Sequence, residues 1–526
     1  MFVPPQITLC MMVRDEAQLL PGCLEAAEGV WDELVVVDTG STDGTQAIAR
    51  HFGARVVDFT WKDDFSAARN EGLAHATGQW VLVLDADERL SPELKEQLRA
   101  TARDAGAGAA TVVLYNAQSQ GHARESRLLR FFRRDESVRF THRVHEDPTA
   151  SVAAMLARTH RRLVQLDGRV VHLGYARAHM LERGKRERDR RLLELALRDD
   201  PADLYSWHKL LEVAAFWRDA ALAERAAAGA LAALAQLEPE ALAAAHYGGD
   251  LVASIASTVA EPRAALALLD TWSGKVRSSA ALLFRRGVLL EQLGARAEAE
   301  GAFRACLGFA GGVGDHQLST TRPLLGLARL AMGKGALLEG RAHVQEALQL
   351  TPRDVEALTA AVLLAKLTGG QAAVDAFTRE REACPELFTA LGEAALLSGQ
   401  PAQAVASLEQ AVREGADARV QLRLAQAFLS GGGLVMARTV ASGLALQLPE
   451  AAMGVLLCDL IEGRDSALDV ELTEEQASRA LREWVSVLRH QGAQPMLARL
   501  RAAAPAVAEH FPWLPDFVGA QFQPER

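Results

Sequence analysis

Four unbroken apolar runs of strand length fall within the first 115 residues, and the rest of the chain loses nearly all strand character. The runs are Ile7–Val13, Glu33–Val37, Trp80–Leu84 and Ala110–Tyr115. A strand with one wet face alternates apolar and polar residues, so a run without alternation is buried on both faces, as in a parallel sheet covered by helices. Helix-length segments separate the first three runs. Glu16 to Glu28 is one, Asp43 to Phe52 follows a Ser-Thr-Asp cap signal, and Ser66 to Ala76 stops before Thr77-Gly78. This βαβαβ order implies an α/β domain with an open, doubly wound sheet, extending to about residue 176. Ligands of such sheets bind beyond the carboxyl ends of the strands.

From about residue 200 to 465 the sequence is Ala- and Leu-rich helix punctuated by turns near Trp217, Glu261, Gly294, Gly333, Gly370, Gly399 and Gly432. Their spacing averages about 36 residues, close to the ~34 of a helix–turn–helix repeat, which predicts an all-α solenoid. Small residues where paired helices cross, as in Leu283–Gly287 through Ala302-Phe303, resemble tetratricopeptide repeats. Residues 177–199 read as an amphipathic connecting helix, with eight Lys or Arg against four acids over 177–198. Residues 466–526 read as a helical cap ending in Phe511-Pro512-Trp513-Leu514-Pro515. The expected organisation is therefore 1–176, 177–199, 200–465 and 466–526. Gly311–Gly314 and Gly431–Gly433 lack a preceding strand and a following Lys-Ser/Thr, so they are loops and not phosphate cradles.

Composition narrows the function classes. With 57 Lys and Arg against 67 Asp and Glu, the net charge of −10 argues against a nucleic-acid partner. No uninterrupted apolar run reaches the ~18 residues of a membrane span. The start, Met1 to Gln6, lacks the basic and apolar regions of a secretory signal. Five cysteines, odd in number and without CxxC spacing, support neither a disulfide framework nor a structural zinc. The expected setting is cytoplasmic.

The chemistry is expected at the strand ends. The second run continues into Asp38-Thr39-Gly40-Ser41-Thr42-Asp43-Gly44-Thr45, and the third into Asp85-Ala86-Asp87-Glu88. Two carboxylates one residue apart at a buried strand's end suit a divalent metal that neutralises a diphosphate. Elsewhere Asp-x-Asp is usually a solvated turn. Gly40–Gly44 is not a nucleophile elbow, because Thr42 stands where the serine is needed, which excludes that hydrolase class. His142–Glu146 is not the His-Glu-x-x-His helix of a zinc protease.

Four motifs in order, Cys10–Glu16, Val37–Thr45, Asp64–Gly72 and Leu84–Glu88, resemble the nucleotide-sugar half of a family-2 glycosyltransferase of the GT-A fold. Arg127–Arg133, Val144-His145-Glu146 and His172–Tyr175 are similar to the branch that joins this domain to tetratricopeptide repeats, including bacterial peptide S-glycosyltransferases. The resemblance implies a nucleotide-sugar donor, with UDP as the expected nucleotide, and a divalent metal, Mn²⁺ or Mg²⁺. Asp38 would accept a hydrogen bond from the nucleobase, or else cap the following helix. Arg69 would lie on the base or diphosphate, or else pair with Asp63 or Asp64. Asp64 would orient Arg69 or touch the base. Asp85 would face the ribose or a metal-bound water, Asp87 would bind the metal, and His172 would complete its shell unless it is a core histidine beside Tyr175. A neutral imidazole is a suitable ligand for Mn²⁺.

An inverting transfer needs a group to take the acceptor's proton. His145-Glu146-Asp147 offers Glu146 first and Asp147 second, unless both pair with the seven arginines of 124–143. Those arginines would otherwise charge-balance a leaving diphosphate. Three classes of function follow. The first is an enzyme moving a sugar to a peptide or protein presented by the repeats, or to a saccharide or lipid-linked glycan. The second is a non-catalytic assembly protein, with homodimerisation through the repeats. The third, a nucleotidyltransferase, requires a Gly-rich basic loop after the first strand, where Arg14-Asp15-Glu16-Ala17 stands instead.

Overall fold

The computed structural model describes all residues except 1–5, 117–123, 174–177, 218, 310–313, 446, 465–473, 490–493, 508–513 and 515–526. Tyr175 and most of Phe511–Pro515 lie outside the described residues; Leu514 is buried. The chain divides into two compact units, one built from Met1–Gln118 and Ala123–Leu330, the other including Ala331–Arg526.

The first unit opens with a sheet of β1 (Ile7–Val13), β2 (Glu33–Asp38), β3 (Arg55–Asp58), β4 (Trp80–Leu84), β5 (Glu88–Leu90), β6 (Ala107–Asn116), β7 (Arg124–Arg133) and β8 (Arg162–His172), in the order β3-β2-β1-β4-β7-β6-β8-β5. All four expected runs are strands. The β3-β2-β1-β4 half is parallel, with crossovers through α1 (Leu20–Ala26), α2 (Thr45–His51) and α3 (Phe65–His75). The other half is mixed: β7 runs antiparallel to β4 and β6, and β6 runs parallel to β8. The sheet is therefore not parallel throughout, because β6 and β7 are consecutive antiparallel neighbours.

The absence of alternation in the first three runs follows from burial on both faces. Leu9, Met11, Leu34, Val36, Leu82 and Leu84 pack with Leu20 and Leu24 of α1 and with Leu94 and Leu98 of α4 (Pro92–Arg103). Their strand neighbours Cys10, Val35, Val81 and Val83 face the opposite core, with Ala76 and with Val152 and Met155 of α5 (Thr149–Thr159). Successive side chains point to opposite faces, so both sets must be apolar. Trp80 closes the end of β4, stacked on Phe131 with ring centroids 4.5 Å apart, and its indole N–H donates to the Ala102 carbonyl at 3.1 Å.

After α6 (Ala178–Asp199) every long element is helical: α7 (Leu204–Phe216), α8 (Ala220–Gln236), α9 (Pro239–Ala244), α10 (Gly248–Thr258), α11 (Pro262–Ser273), α12 (Ala280–Gln292), α13 (Arg296–Leu307) and α14 (Thr321–Gly333). Phe303 of α13 shows why small residues recur here. A Cβ on Gly287 of α12 or on Gly326 of α14 would sit 2.7 Å from its ring. One excursion breaks the helical series: β9 (Gly314–Asp315) adds to the sheet, pairing antiparallel with Ser126 and Arg127 of β7.

The second unit continues with α15 (Leu337–Leu350), α16 (Val355–Arg379), α17 (Pro385–Leu397), α18 (Pro401–Arg413), α19 (Ala418–Ser430), α20 (Leu434–Leu444), α21 (Pro449–Glu462), α22 (Glu474–Ser486) and α23 (Gln494–Ala503). Turns fall at the expected glycines, with Gly399 (φ 65°) and Gly432 (φ 88°) in the left-handed region that favours glycine. Among the described residues one helix, α16, is long and apolar enough to cross a membrane, but Gly370 (φ 63°, ψ −155°) interrupts its helical backbone.

The change from strand to helix near residue 200 is not where compactness divides the chain. Val144, in the loop before α5, shares an apolar core with Leu192, Leu193 and Leu197 of α6 and with Leu204 and Leu210 of α7. The first helices are thereby part of the same unit as the sheet.

Candidate active site

The first two motifs hold each other. Asp15, with its backbone in the left-handed region (φ 54°), accepts from the Thr42 amide at 2.7 Å, and its own amide donates to Ser41 Oγ at 2.9 Å. The Glu16 amide donates to Thr45 Oγ1 at 2.7 Å and the Ala17 amide to Asp43 Oδ2 at 2.9 Å. Asp38, at the carboxyl end of β2 and only 2% exposed, accepts at Oδ1 from the amides of Gly40 (2.8 Å) and Ser41 (2.9 Å). Burial by itself raises its carboxyl, but hydrogen bonds from Ser41 and Gly40 outweigh burial and hold it below the usual carboxylate range. Its Oδ2 is buried without a hydrogen-bond partner. Asp38 thus shapes the turn before α2 and keeps one acceptor oxygen unmatched.

Arg69 on α3 is 5% exposed and stands at the centre of the site. Its Nη2 donates to Asp85 Oδ1, its Nε donates to Glu146 Oε1 at 3.0 Å, and its Nη1 is buried without a partner. Arg69 therefore pairs with neither Asp63 nor Asp64. Asp63 binds Arg191 (2.6 Å), and Asp64 caps α3, accepting from the Ala67 amide at 3.0 Å and Ser66 Oγ at 2.6 Å. The expectation that Asp64 orients Arg69 is corrected on that ground: its carboxylate serves the free amide of a helix N-terminus, and Asp85 and Glu146 hold the guanidinium.

Arg130 of β7 is the second cation. Its Nη2 donates to Asp85 Oδ2 (3.1 Å) and to Glu88 Oε1 (2.8 Å). Glu88, 1% exposed, also accepts from the Asp85 amide at 2.8 Å. Burial raises the Glu88 carboxyl to about 7 against the opposing pull of Arg130. Burial also opposes ionisation of Asp85, but Arg69 and Arg130 together hold it well below the usual range. Asp85 is thus turned into the arginine pair. Arg89 braces the loop from behind, donating to the carbonyls of Ala86 and Leu19 at 2.9 Å each.

Asp87 faces a different neighbour. Its Oδ2 lies 3.0 Å from Nε2 of His172, at the end of β8. Burial disfavours charged His172, but the hydrogen bond to Asp87 outweighs burial and raises the imidazole above its usual value. Among the described residues no group of three or more His, Cys, Asp or Glu is placed to hold a metal. The Asp87–His172 pair still fits one: two ligands about 2.1 Å from an ion at right angles lie about 3 Å apart.

The loop before α5 brings Glu146 to Arg69. Asn70, next to Arg69, donates to the Phe140 carbonyl and accepts from the Phe140 amide, both at 2.9 Å. The Phe65 amide donates to the Arg143 carbonyl at 2.9 Å. His142 (φ 73°) and His145 (φ 56°) adopt left-handed backbone, which costs on the order of 1–3 kcal/mol each outside glycine and persists where surroundings enforce it. Asp147 is fully engaged: Oδ1 accepts from Thr149 Oγ1 at 2.6 Å, and Oδ2 accepts from the Tyr247 hydroxyl. Among the described residues neither acid pairs with an arginine of 124–143; Arg143 binds Asp199 at 2.6 Å.

Sequence reasoning brings Asp38, Arg69, Asp85, Asp87, Glu146 and His172 to this end of the sheet, and the structure places Asp64 and Asp147 in backbone-holding roles. It does not single out Glu88, Arg130 or Arg89, although Glu88 and Arg130 lie within quoted motifs. Tyr205 and Tyr247 carry no local signal at all.

Residues 8–159 match the model for glycosyl transferase family 2. A TPR repeat-containing protein of Synechococcus elongatus is 44% identical over 207 residues, covering 39% of this chain and 51% of the relative. The glycosyltransferase SunS of Bacillus subtilis is 33% identical over 148 residues, covering 27% of this chain and 35% of SunS. The chain thus spans about half, or less, of the length of these relatives. Among solved structures, a tetratricopeptide repeat protein from Parabacteroides merdae aligns with 46% of this chain and 93% of its own at 19% identity and a TM-score of 0.32. Glucosyl-3-phosphoglycerate synthase of Mycobacterium tuberculosis aligns with 37% and 80% at 17% identity and a TM-score of 0.27. Neither score reaches the level at which a shared fold follows.

Proposed function

We propose, from the family-2 glycosyltransferase domain at residues 8–159, that this protein is a metal-dependent inverting glycosyltransferase. It moves a sugar from a nucleotide sugar, with UDP as the nucleotide, to a peptide or protein presented by the helical array. The observation that carries this reading is the convergence at one end of the sheet: the unmatched Asp38 oxygen, the Arg69–Asp85–Glu146 chain and the Asp87–His172 pair.

In this reading Asp38 Oδ2 accepts an N–H of the nucleobase. Asp87 and His172 hold a Mn²⁺ or Mg²⁺ ion, which when bound supplies positive charge to the diphosphate. Arg69 and Arg130 keep Asp85 ionised beside that position. Glu146 takes the proton of the acceptor's hydroxyl or thiol. The acceptor's oxygen or sulfur forms a bond to the anomeric carbon as the carbon–oxygen bond to the diphosphate breaks, and the nucleoside diphosphate leaves with that electron pair. Glu146 is preferred to Asp147 because both oxygens of Asp147 are engaged. A cytoplasmic setting accords with five free, buried cysteines.

A screen of nucleotide sugars for hydrolysis, with Mn²⁺ or with EDTA, tests the reading. Hydrolysis of a UDP-sugar is expected with metal and is lost in EDTA and in Asp87→Ala. Full activity in both sinks the metal-dependent mechanism. No hydrolysis of any donor favours the assembly protein, and a glycan glycosylated in place of a peptide replaces the acceptor.

A further inference from the structure

We propose that Tyr205 of α7 and Tyr247, which immediately precedes α10, are positioning residues: they hold the Thr141–Asp147 loop in the conformation that sets Glu146 beside Arg69. The inference rests on the reading of Glu146 as the base. The two hydroxyls grip the residues on either side of it. Tyr205 donates to the backbone carbonyl of His145, and Tyr247 donates to Oδ2 of Asp147. The rings form one assembly, with centroids 4.7 Å apart, and Tyr205 stacks on the His142 ring at 3.7 Å. His208 of α7 lies behind Tyr247, its ring stacked at 6.3 Å.

The loop does not fix its own shape. Its ends meet in the Thr141–Asp147 bridge, yet His142 and His145 between them hold left-handed backbone. Its one large apolar side chain, Val144, is buried among residues of α6 and α7 instead of in the sheet's own cores. A buried phenol must find an acceptor, and a carbonyl and a carboxylate flanking one glutamate are the acceptors found here. The first helices of the array therefore belong to the catalytic apparatus, whatever the later ones bind.

The test uses the full chain carrying Tyr205→Phe, Tyr247→Phe and both together, which remove the hydroxyls and keep the rings. Hydrolysis of UDP-glucose and UDP-N-acetylglucosamine gives kcat, and calorimetry gives UDP affinity. In the double variant kcat is expected to fall roughly tenfold or more, as a displaced catalytic group requires, with UDP affinity within about twofold. Adding both substitutions to Glu146→Gln is expected to cost nothing further. Unchanged kcat in the double variant overturns the inference, and so does a parallel loss of UDP affinity, which marks general damage to the unit. Should the double variant not fold, the single variants carry the same two readouts. If Glu146→Gln retains full turnover, the base assignment fails and takes the inference with it. If Glu146→Gln is inactive and the tyrosine variants are not impaired, only the inference fails.

Discussion

The strand-end loops and the Thr141–Asp147 loop meet around Arg69, but they are held there in opposite ways. Asp38 is the last residue of β2, and Asp85 and Asp87 stand one and three residues beyond β4, so strand ends place all three. The Gly40 and Ser41 amides then fix Asp38, and Arg130 and His172 reach Asp85 and Asp87 from farther along the chain. Glu146 has no such strand behind it. Its neighbours are held by Tyr205 and Tyr247, 60 and 100 positions along the chain. The donor-side acids are placed by the ends of the sheet's own strands, and the proposed proton acceptor is placed by a different architectural layer. The sequence singles out Glu146 as well as the strand-end acids, but it conceals the two tyrosines that hold the Glu146 loop.

The largest effect that tests this contrast comes from where the chain is ended. A chain ending at Asp199 lacks both tyrosines and leaves Val144 and the α6 leucines without their partners, so donor hydrolysis is expected to vanish. A chain ending at Gly333 keeps them and is expected to hydrolyse donor while no longer modifying an acceptor that the second unit presents. Equal hydrolysis by the two shortened proteins would break the contrast; the mass in solution of the full chain against that of the chain ending at Gly333 also shows whether the second unit mediates self-association.

A smaller effect lies in pH. Burial depresses His208 to about 4, below its unfolded value of about 6.5, so between these values the unfolded chain binds a proton that the folded chain does not. Stability contributed around His208 is therefore present above pH ~6.5 and declines as pH falls toward 4, by up to about 3 kcal/mol. Burial also lowers His142 and His145, which act in the same direction. Urea unfolding at pH 7 and pH 4.5 measures the decline, and His208→Gln should flatten it. An unchanged pH dependence in that variant removes His208 as its source.

The smallest effect belongs to the local site. Asp38→Ala should weaken UDP binding by ~1–3 kcal/mol, the scale of a hydrogen bond to a charged group. Its influence on kcat should be less than that of the paired tyrosines. Calorimetry showing unchanged UDP affinity removes Asp38 from the nucleotide site.

What was legible followed the same division. The four apolar runs, in β1, β2, β4 and β6, were readable because burial on both faces erases alternation, and the helical turns because glycine recurs at them. β7 was not readable as a strand: Arg127, Arg130 and Arg133 make it look like a solvated basic segment, yet Arg127 is 4% exposed and Arg130 is paired inside the site. β8 buries Leu166, Gly168 and Val170 in alternation with exposed neighbours. That alternation is hard to read in the residue types because glycine occupies a core position, where a Cβ would meet Leu94 at 2.5 Å. Asp64 resembled a ligand-binding acid because the same residue type serves as a helix cap. The change of secondary structure near residue 200 hid the continuity of packing through Val144, which no local pattern records.

The pairing of β9 with β7 also orders events during synthesis. Asp85 and Asp87 leave the ribosome early, but the sheet position beside Ser126 and Arg127 stays open until Asp315 has been made. At roughly 5–20 residues per second that interval lasts on the order of ten to forty seconds. Throughout it the stretch of β7 at Ser126 and Arg127, which β4 does not reach, lacks a partner on one side, a small open surface that another chain could pair with. Contacts so distant in sequence also slow closure. The two residues of β9 act as a late seal, so the sheet becomes complete only after most of the helices that share its unit already exist.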